Sequence, residues 1–187
     1  MNLLSKTMTL SEGELLKRIR LIRDMEPLYE GDIREDSLQA EKWLKEFLRK
    51  EYRQLLETLP TEQLPMTEIT DRVSVAKKGE GKYEMSLPAN TVRVGEIKME
   101  GDEQSVRIVS SDSREAQAQY SPYTRGGRCT PTGVAGIGGK IMIYGGKDES
   151  SGKAERVMAV LLPDEGEYIL TPFMETALIE RMRNAEN

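Results

Sequence analysis

The residues best placed to do chemistry are few, and each sits in an unpromising context. Gly133-Val134-Ala135-Gly136-Ile137-Gly138-Gly139-Lys140 has the glycine density of a phosphate-binding loop. Such a loop needs Gly-Lys-Ser/Thr opening a helix, so that backbone N–H groups converge on the anion. Here Lys140 is followed by Ile141-Met142-Ile143-Tyr144, which reads as a strand. The single cysteine, Cys129, has Arg125 and Arg128 nearby, and cations lower a thiol pKa. A nucleophilic cysteine also needs a base, and the chain has no histidine. Glu41, Glu46 and Glu51 recur on one long helix, on the side away from its apolar stripe, and nothing draws them into a pocket for acid–base work.

The same two counts exclude whole classes. Without imidazole there is no Ser-His-Asp triad or Cys-His pair, and with one cysteine there is no zinc site of the usual four-ligand kinds within a chain. No catalytic, cofactor-binding or metal-binding residue is assigned. A lone cysteine makes no internal disulfide. Lys plus Arg is 27 against 32 Asp plus Glu, a net charge of −5. An acidic chain that is only 5% aromatic is poorly suited to grip a nucleic-acid backbone or to stack single-stranded bases. No apolar run reaches the roughly 20 residues that span a bilayer, and the first ten residues make a poor signal peptide. These features suit a cytosolic protein, or one made in the cytosol.

One charged group does invite a partner. Lys17, Arg18, Arg20 and Arg23 crowd the first helix, with Lys17, Arg20 and Arg23 on adjoining parts of one face and Arg18 apart. They read either as a docking face for an acidic partner or as a solvated face balanced by neighbouring carboxylates.

The elements that must carry these residues follow from hydrophobic period. Thr9 or Ser11 caps a first helix with Glu12 and Glu14 in its first turn, and Leu15, Leu16, Ile19 and Ile22 recur at helical spacing until Pro27 stops it near Met25. A longer helix runs from about Asp36 to Leu59, with Trp43, Leu44, Phe47, Leu48, Tyr52, Leu55 and Leu59 as its stripe. Two such helices on a short link predict an antiparallel hairpin.

From Ile69 the period becomes two. Val73 and Val75, a turn over 77–81, then Tyr83, Met85 and Leu87 predict a β-hairpin. Pro88-Ala89-Asn90 is a corner. The strand with Val92, Val94, Ile97 and Met99 slips phase between Val94 and Ile97, which predicts a bulge at Gly95. Val106 and Ile108 mark another strand, and Asp112 or Ser113 caps a short helix to Tyr120. Residues 124–139 read as a long loop. Lys140–Tyr144 and Ala154–Leu162 read as paired strands, and Thr171-Pro172 opens a last helix to about Arg183. The fold class expected is α+β: an N-terminal helical hairpin (1–66), an antiparallel sandwich or barrel of about six strands with one inserted helix (67–170), and a C-terminal helix that packs with the helical part (171–187).

One stretch carries a resemblance. Leu87-Pro88-Ala89-Asn90-Thr91-Val92-Arg93-Val94-Gly95-Glu96-Ile97, the strand Gly139-Lys140-Ile141-Met142-Ile143-Tyr144, and Val157 to Leu162 with Pro163 before Thr171-Pro172-Phe173-Met174 stand in a distinctive order. Over roughly residues 40–185 this is similar to the head-to-tail adaptors of tailed bacteriophages, in particular the podovirus tubular tail protein A-like family. Trp43 departs from that pattern, standing near the start of the long helix rather than its end. The resemblance implies a structural virion protein of the neck, not an enzyme. It would be assembled in the bacterial cytoplasm into a ring of about twelve copies by head-to-tail contacts. Its partners would be further copies, the portal, and tail or further neck proteins, with genomic DNA passing through the lumen unbound and no membrane contact. On that view Arg18, Arg20 and Arg23 face the portal, and Tyr123, Arg125 and Arg128 meet a neighbour or a tail protein. The alternative from a different class is a non-enzymatic β-sandwich binding module of a bacterial or mobile-element protein. A small hydrolase using carboxylates or Cys129 is a third.

Overall fold

A computed structural model describes residues 7–22, 35–120, 131–145 and 152–184. Among these residues the chain is α+β, with four helices and ten strands in three open sheets. It divides into two compact units. One holds Met1–Pro65 and Leu162–Asn187, and the other is Met66–Leu161.

The first unit begins with strand β1 (Met8–Ser11) and helix α1 (Glu12–Ile22). Ser11 and Glu14 cap α1 reciprocally. The Glu14 N–H donates to Ser11 Oγ at 3.3 Å, and the Ser11 N–H donates to Glu14 Oε2 at 2.9 Å. Of the two residues expected to cap, Ser11, the last residue of β1, does so; Thr9 pairs with Ile169 two residues earlier. Leu15, Leu16 and Ile19 are buried. The expected helix end near Met25 lies outside the described residues.

Helix α2 (Glu35–Thr58) buries Leu44, Leu48, Tyr52, Leu55 and Leu56. Its inner face is turned from the expected stripe: Leu56 is inside, while Trp43 is 46% exposed and stacks on Phe47 with ring centroids 5.3 Å apart. Helix α2 packs on α4 (Pro172–Asn184), and Trp43 lies outside the buried arc.

Strand β10 (Glu167–Leu170) pairs antiparallel with β1, from Met8 opposite Leu170 to Ser11 opposite Glu167. The sequence reading carried the β-rich part through residue 170. Strand β10 belongs instead with the helices, and the β-rich unit ends at Leu161.

Thr171 starts α4. Its buried hydroxyl accepts from the Met174 N–H at 3.3 Å and donates to the Gln63 carbonyl at 2.7 Å. Thr171→Val keeps the shape and deletes both bonds. It is expected to lower unfolding stability by about 1–2 kcal/mol, read as a lower urea midpoint with an unchanged slope.

The second unit has two sheets. Strands β2 (Met66–Glu68), β9 (Ala154–Leu161) and β5 (Thr91–Met99) lie in the order β2-β9-β5, all antiparallel. Strands β3 (Ser74–Gly79), β4 (Lys82–Ser86), β8 (Lys140–Tyr144), β7 (Thr132–Ala135) and β6 (Arg107–Val109) form the other, in that order. The β3–β4 hairpin and the irregularity between Val94 and Glu96 fall where the sequence places them.

Four expectations fail here. First, β8 does not pair with β9: β4 and β7 already occupy both edges of β8, so β9 pairs with β5 and β2. Second, β6 and β7 run parallel, because residues 110–131, which include helix α3 (Arg114–Tyr120), are long enough for a crossover. Third, β7 occupies part of the stretch read as loop. Finally, of the sandwich or barrel expected, the barrel is not formed: among the described residues no sheet closes.

Both sheets send alternate residues into one cluster, including Tyr83 and Met85 from β4, Ile141 and Ile143 from β8, Ile97 and Met99 from β5, and Val157 and Ala159 from β9. On the opposite face of the five-stranded sheet, Val134, Tyr144 and Ala116 of α3 form a smaller cluster. Strand β8 is covered on both faces, which is why Ile141-Met142-Ile143-Tyr144 is continuously apolar.

Candidate interaction sites

The most elaborate polar cluster lies in the first unit. Glu12, in the first turn of α1, accepts from Arg49 Nε of α2 at 2.8 Å and from the Tyr168 hydroxyl of β10 at 3.2 Å. The Arg49 guanidinium also lies 3.4 Å from Glu165. Beside them the Tyr52 hydroxyl donates to the Ile169 carbonyl at 3.0 Å and accepts from the Ile169 N–H at 3.2 Å. One phenol thus satisfies both backbone groups of an edge residue, which closes that stretch of β10 to another strand. The Tyr52 and Tyr168 rings meet edge to face, with centroids 4.9 Å apart.

Arg49, Tyr52 and Tyr168 line an open cleft of about 340 Å³ with Asp164 and Glu165 of the connecting loop. Burial pushes the Tyr52 phenol up to about 12. Tyr168 is also pushed up to about 12, by burial first and then by the Glu12 carboxylate. Both stay protonated at neutral pH. Glu12 raises the pKa of Arg49 by bonding to its charged form. The arrangement fastens α1, α2 and β10 together. Among the described residues, no three Asp, Glu or Cys side chains come together as a metal site.

The sequence-derived contact residues separate. Arg18 turns to α4, with its guanidinium 2.7 Å from Glu175 and 3.6 Å from the Met8 sulfur. Arg20, two positions on, points to a different side of α1 and is partly buried in its last turn. The helix therefore does not present Arg18 and Arg20 as one patch. Arg23, Tyr123, Arg125 and Arg128 lie outside the described residues, as does Cys129. The Arg18–Glu175 pair is partly exposed, so Arg18→Ala is expected to lower stability by less than about 1 kcal/mol in a thermal melt.

Surface features that the sequence reading missed are apolar. Ile137 is 98% exposed, and Leu21, Phe173 and Tyr120 are more than half exposed. Ile137 carried one signal, its glycine neighbours: Gly136, Gly138 and Gly139 leave an isoleucine with nothing beside it to pack on. No family model matches the chain, and no curated protein matches it.

Proposed function

We propose that the protein is an assembly subunit, a head-to-tail adaptor of a tailed bacteriophage that joins portal to tail around the DNA channel, acting by contact rather than catalysis. The observation that carries this reading is the place of the Leu87-Pro88-Ala89-Asn90 corner. It forms a tight turn, with the Thr91 N–H donating to the Pro88 carbonyl at 3.0 Å, and it hands the chain from β4 in one sheet to β5 in the other. The corner lies within the β-rich unit, after β2, β3 and β4, and that unit follows α1 and α2 along the chain, the element order that the resemblance implies. In this reading α1 and α2 form a hairpin arm, the two sheets of the second unit form a sandwich, and the neck of the virion is the working location. The −5 charge suits a lumen that DNA crosses without sticking.

The test is electron microscopy of the purified protein mixed with the portal ring of the same virus. The expected result is a ring of about twelve copies seated beneath the portal. A protein that stays monomeric and leaves the portal bare overturns the reading. Reversing Arg20 and Arg23 to Glu is expected to reduce seating; unchanged seating removes that pair from the portal face.

One observation favours a second reading, a non-enzymatic binding module. The two sheets of the second unit already share a core, so this unit is suited to holding a preformed surface without neighbours. A stable monomer with a saturable peptide or glycan ligand would support it.

A further inference from the structure

Register fixes which way the backbone of β3 points. The Leu87 N–H donates to the Gly139 carbonyl at 2.9 Å, and the Gly145 N–H donates to the Gly81 carbonyl at 3.0 Å, so residues 81, 83, 85 and 87 turn their backbone groups toward β8. Glu84 and Ser86 therefore bond on the other side, where Ala76 and Ser74 stand opposite them. That leaves the N–H and C=O groups of Val75 and Lys77 pointing away from β4, and β3 is the outermost strand of its sheet. Val73, just before β3, has extended backbone at φ −97° and ψ 148°, and the same alternation turns it outward.

Residues 73, 75 and 77 thus form a straight ladder edge, which ends at the register slip between Lys77 and Gly79. The other edges offer less. Strand β1 is four residues long, and Glu14 holds its Ser11 N–H. Tyr52 holds Ile169 of β10, and the Val106 N–H donates to the outward Ile97 carbonyl of β5 at 2.7 Å. Strands β2 and β6 have three residues each.

Side chains on the β3 edge say what fits it. Val75 stands opposite Met85 and Lys77 opposite Tyr83, on the face that carries the shared core. Val73 and Val75 are partly buried against that core, and a strand laid on the edge would cover more of them. Lys77 is exposed and makes no ion pair among the described residues, whereas Lys78, on the opposite face, lies 3.3 Å from Glu84. An edge lysine turns most strands away and favours one with a carboxylate opposite it. Strand β3 contains no Asp or Glu, so no register of a second β3 supplies that carboxylate.

We infer that β3 is a docking edge for an extended segment of another protein, laid antiparallel on residues 73–77, with a carboxylate opposite Lys77 and β-branched apolar side chains opposite Val75 and Val73. Main-chain hydrogen bonds hold the segment, and the three facing side chains select it. In its own chain direction the segment reads Asp or Glu, any residue, Val or Ile, any residue, Val or Ile.

The test is NMR titration of the isotope-labelled whole protein with the capped peptide Thr-Glu-Thr-Val-Thr-Val-Thr and with the same peptide carrying Lys for Glu. The Val75 and Lys77 amides are expected to shift and to gain protection from hydrogen exchange. The Glu peptide should bind about fivefold more tightly than the Lys peptide. Lys77→Glu should reverse that preference, and circular dichroism checks that this exposed-site variant is folded. Methylating the nitrogen of the peptide valine opposite Val75 removes a ladder donor and should abolish binding to the wild-type protein.

No shift at Val75 and Lys77 with millimolar peptide, equal affinity for both peptides, a preference unchanged in folded Lys77→Glu, or full binding of the methylated peptide overturns the inference. So does protection of these amides that grows with protein concentration alone, because a second copy would then be the occupant. The inference goes beyond the assembly reading, and the peptides leave the portal out. Failure here leaves portal seating untouched, and failure to seat on a portal leaves this edge untouched.

Discussion

Tyr52→Phe is expected to lower the free energy of unfolding by about 2–4 kcal/mol, although it removes a single oxygen. The ring stays, so packing against Tyr168 and the rest of α2 is kept. The lost hydroxyl leaves both the N–H and the C=O of Ile169 without a partner. An unsatisfied buried polar group costs about 1–3 kcal/mol, and here two part-buried ones are left. Urea denaturation followed by circular dichroism measures the loss, and a change below about 0.5 kcal/mol would mean that water replaces the hydroxyl without penalty.

The same phenol sets a limit at high pH. Its folded pKa of about 12 lies above the ordinary value of 10, so the neutral form is favoured in the folded state. The stability this represents is fully present below pH 10 and drains away as pH rises from 10 to 12, because only the unfolded chain ionises there. Tyr168 behaves alike. Wild-type protein is therefore expected to lose stability steeply over that window. Tyr52→Phe, already weaker at pH 8, should lose less across it.

Gly133→Val is the second large effect, expected to cost about 3 kcal/mol or to prevent the second unit from folding. Gly133 lies in β7. A Cβ built there would stand 3.0 Å from Ile141 Cγ2 and 3.0 Å from Val106 Cγ1. Both neighbours are buried side chains of the central cluster, so neither can swing into solvent. Adding carbon to a filled core typically costs about 1–3 kcal/mol, and valine adds two methyl groups beyond the Cβ. Gly133→Ala should fall at the lower end of that range. Comparing the two by thermal denaturation separates crowding from a general intolerance of β7. An alanine variant as unstable as the valine variant would point to backbone strain instead.

Local patterns were legible and distant ones were not. Leu44, Leu48 and Leu55 repeat over a long helix, and Val75, Tyr83 and Met85 alternate about a short turn, so α2 and the β3–β4 hairpin are visible to period alone. The phase slip at Gly95 was visible for the same reason. Strands β1 and β10 were not: each is four residues long, and their pairing joins Ser11 to Glu167. Four residues hold two inward positions, too few to show a period. Adjacency in sequence predicts a β8–β9 pair, but β4 and β7 take both edges of β8 and β9 pairs with β5 and β2. Glycine hid β7. Tyr52 was read only as part of an apolar stripe, because the role of its hydroxyl depends on Ile169, far along the chain. Charge drew attention to Arg18, whose partner Glu175 is just as distant.

The division of the chain also has a consequence for the order of synthesis. The second unit is an uninterrupted stretch, and it is bracketed by the two segments of the first. As the chain leaves a ribosome, α1 and α2 emerge early, with Leu15, Ile19, Leu48 and Leu55 already committed to a core that cannot close. Strand β10 and α4, which complete that core, are translated after the second unit. The inserted unit therefore has all its parts while the outer one still waits, and the earliest helices stay sticky the longest. A nascent chain halted after Leu161 should carry a protease-resistant β-rich unit behind a protease-sensitive helical leader. Extending the chain through Leu162–Asn187 should convert that leader to a resistant form.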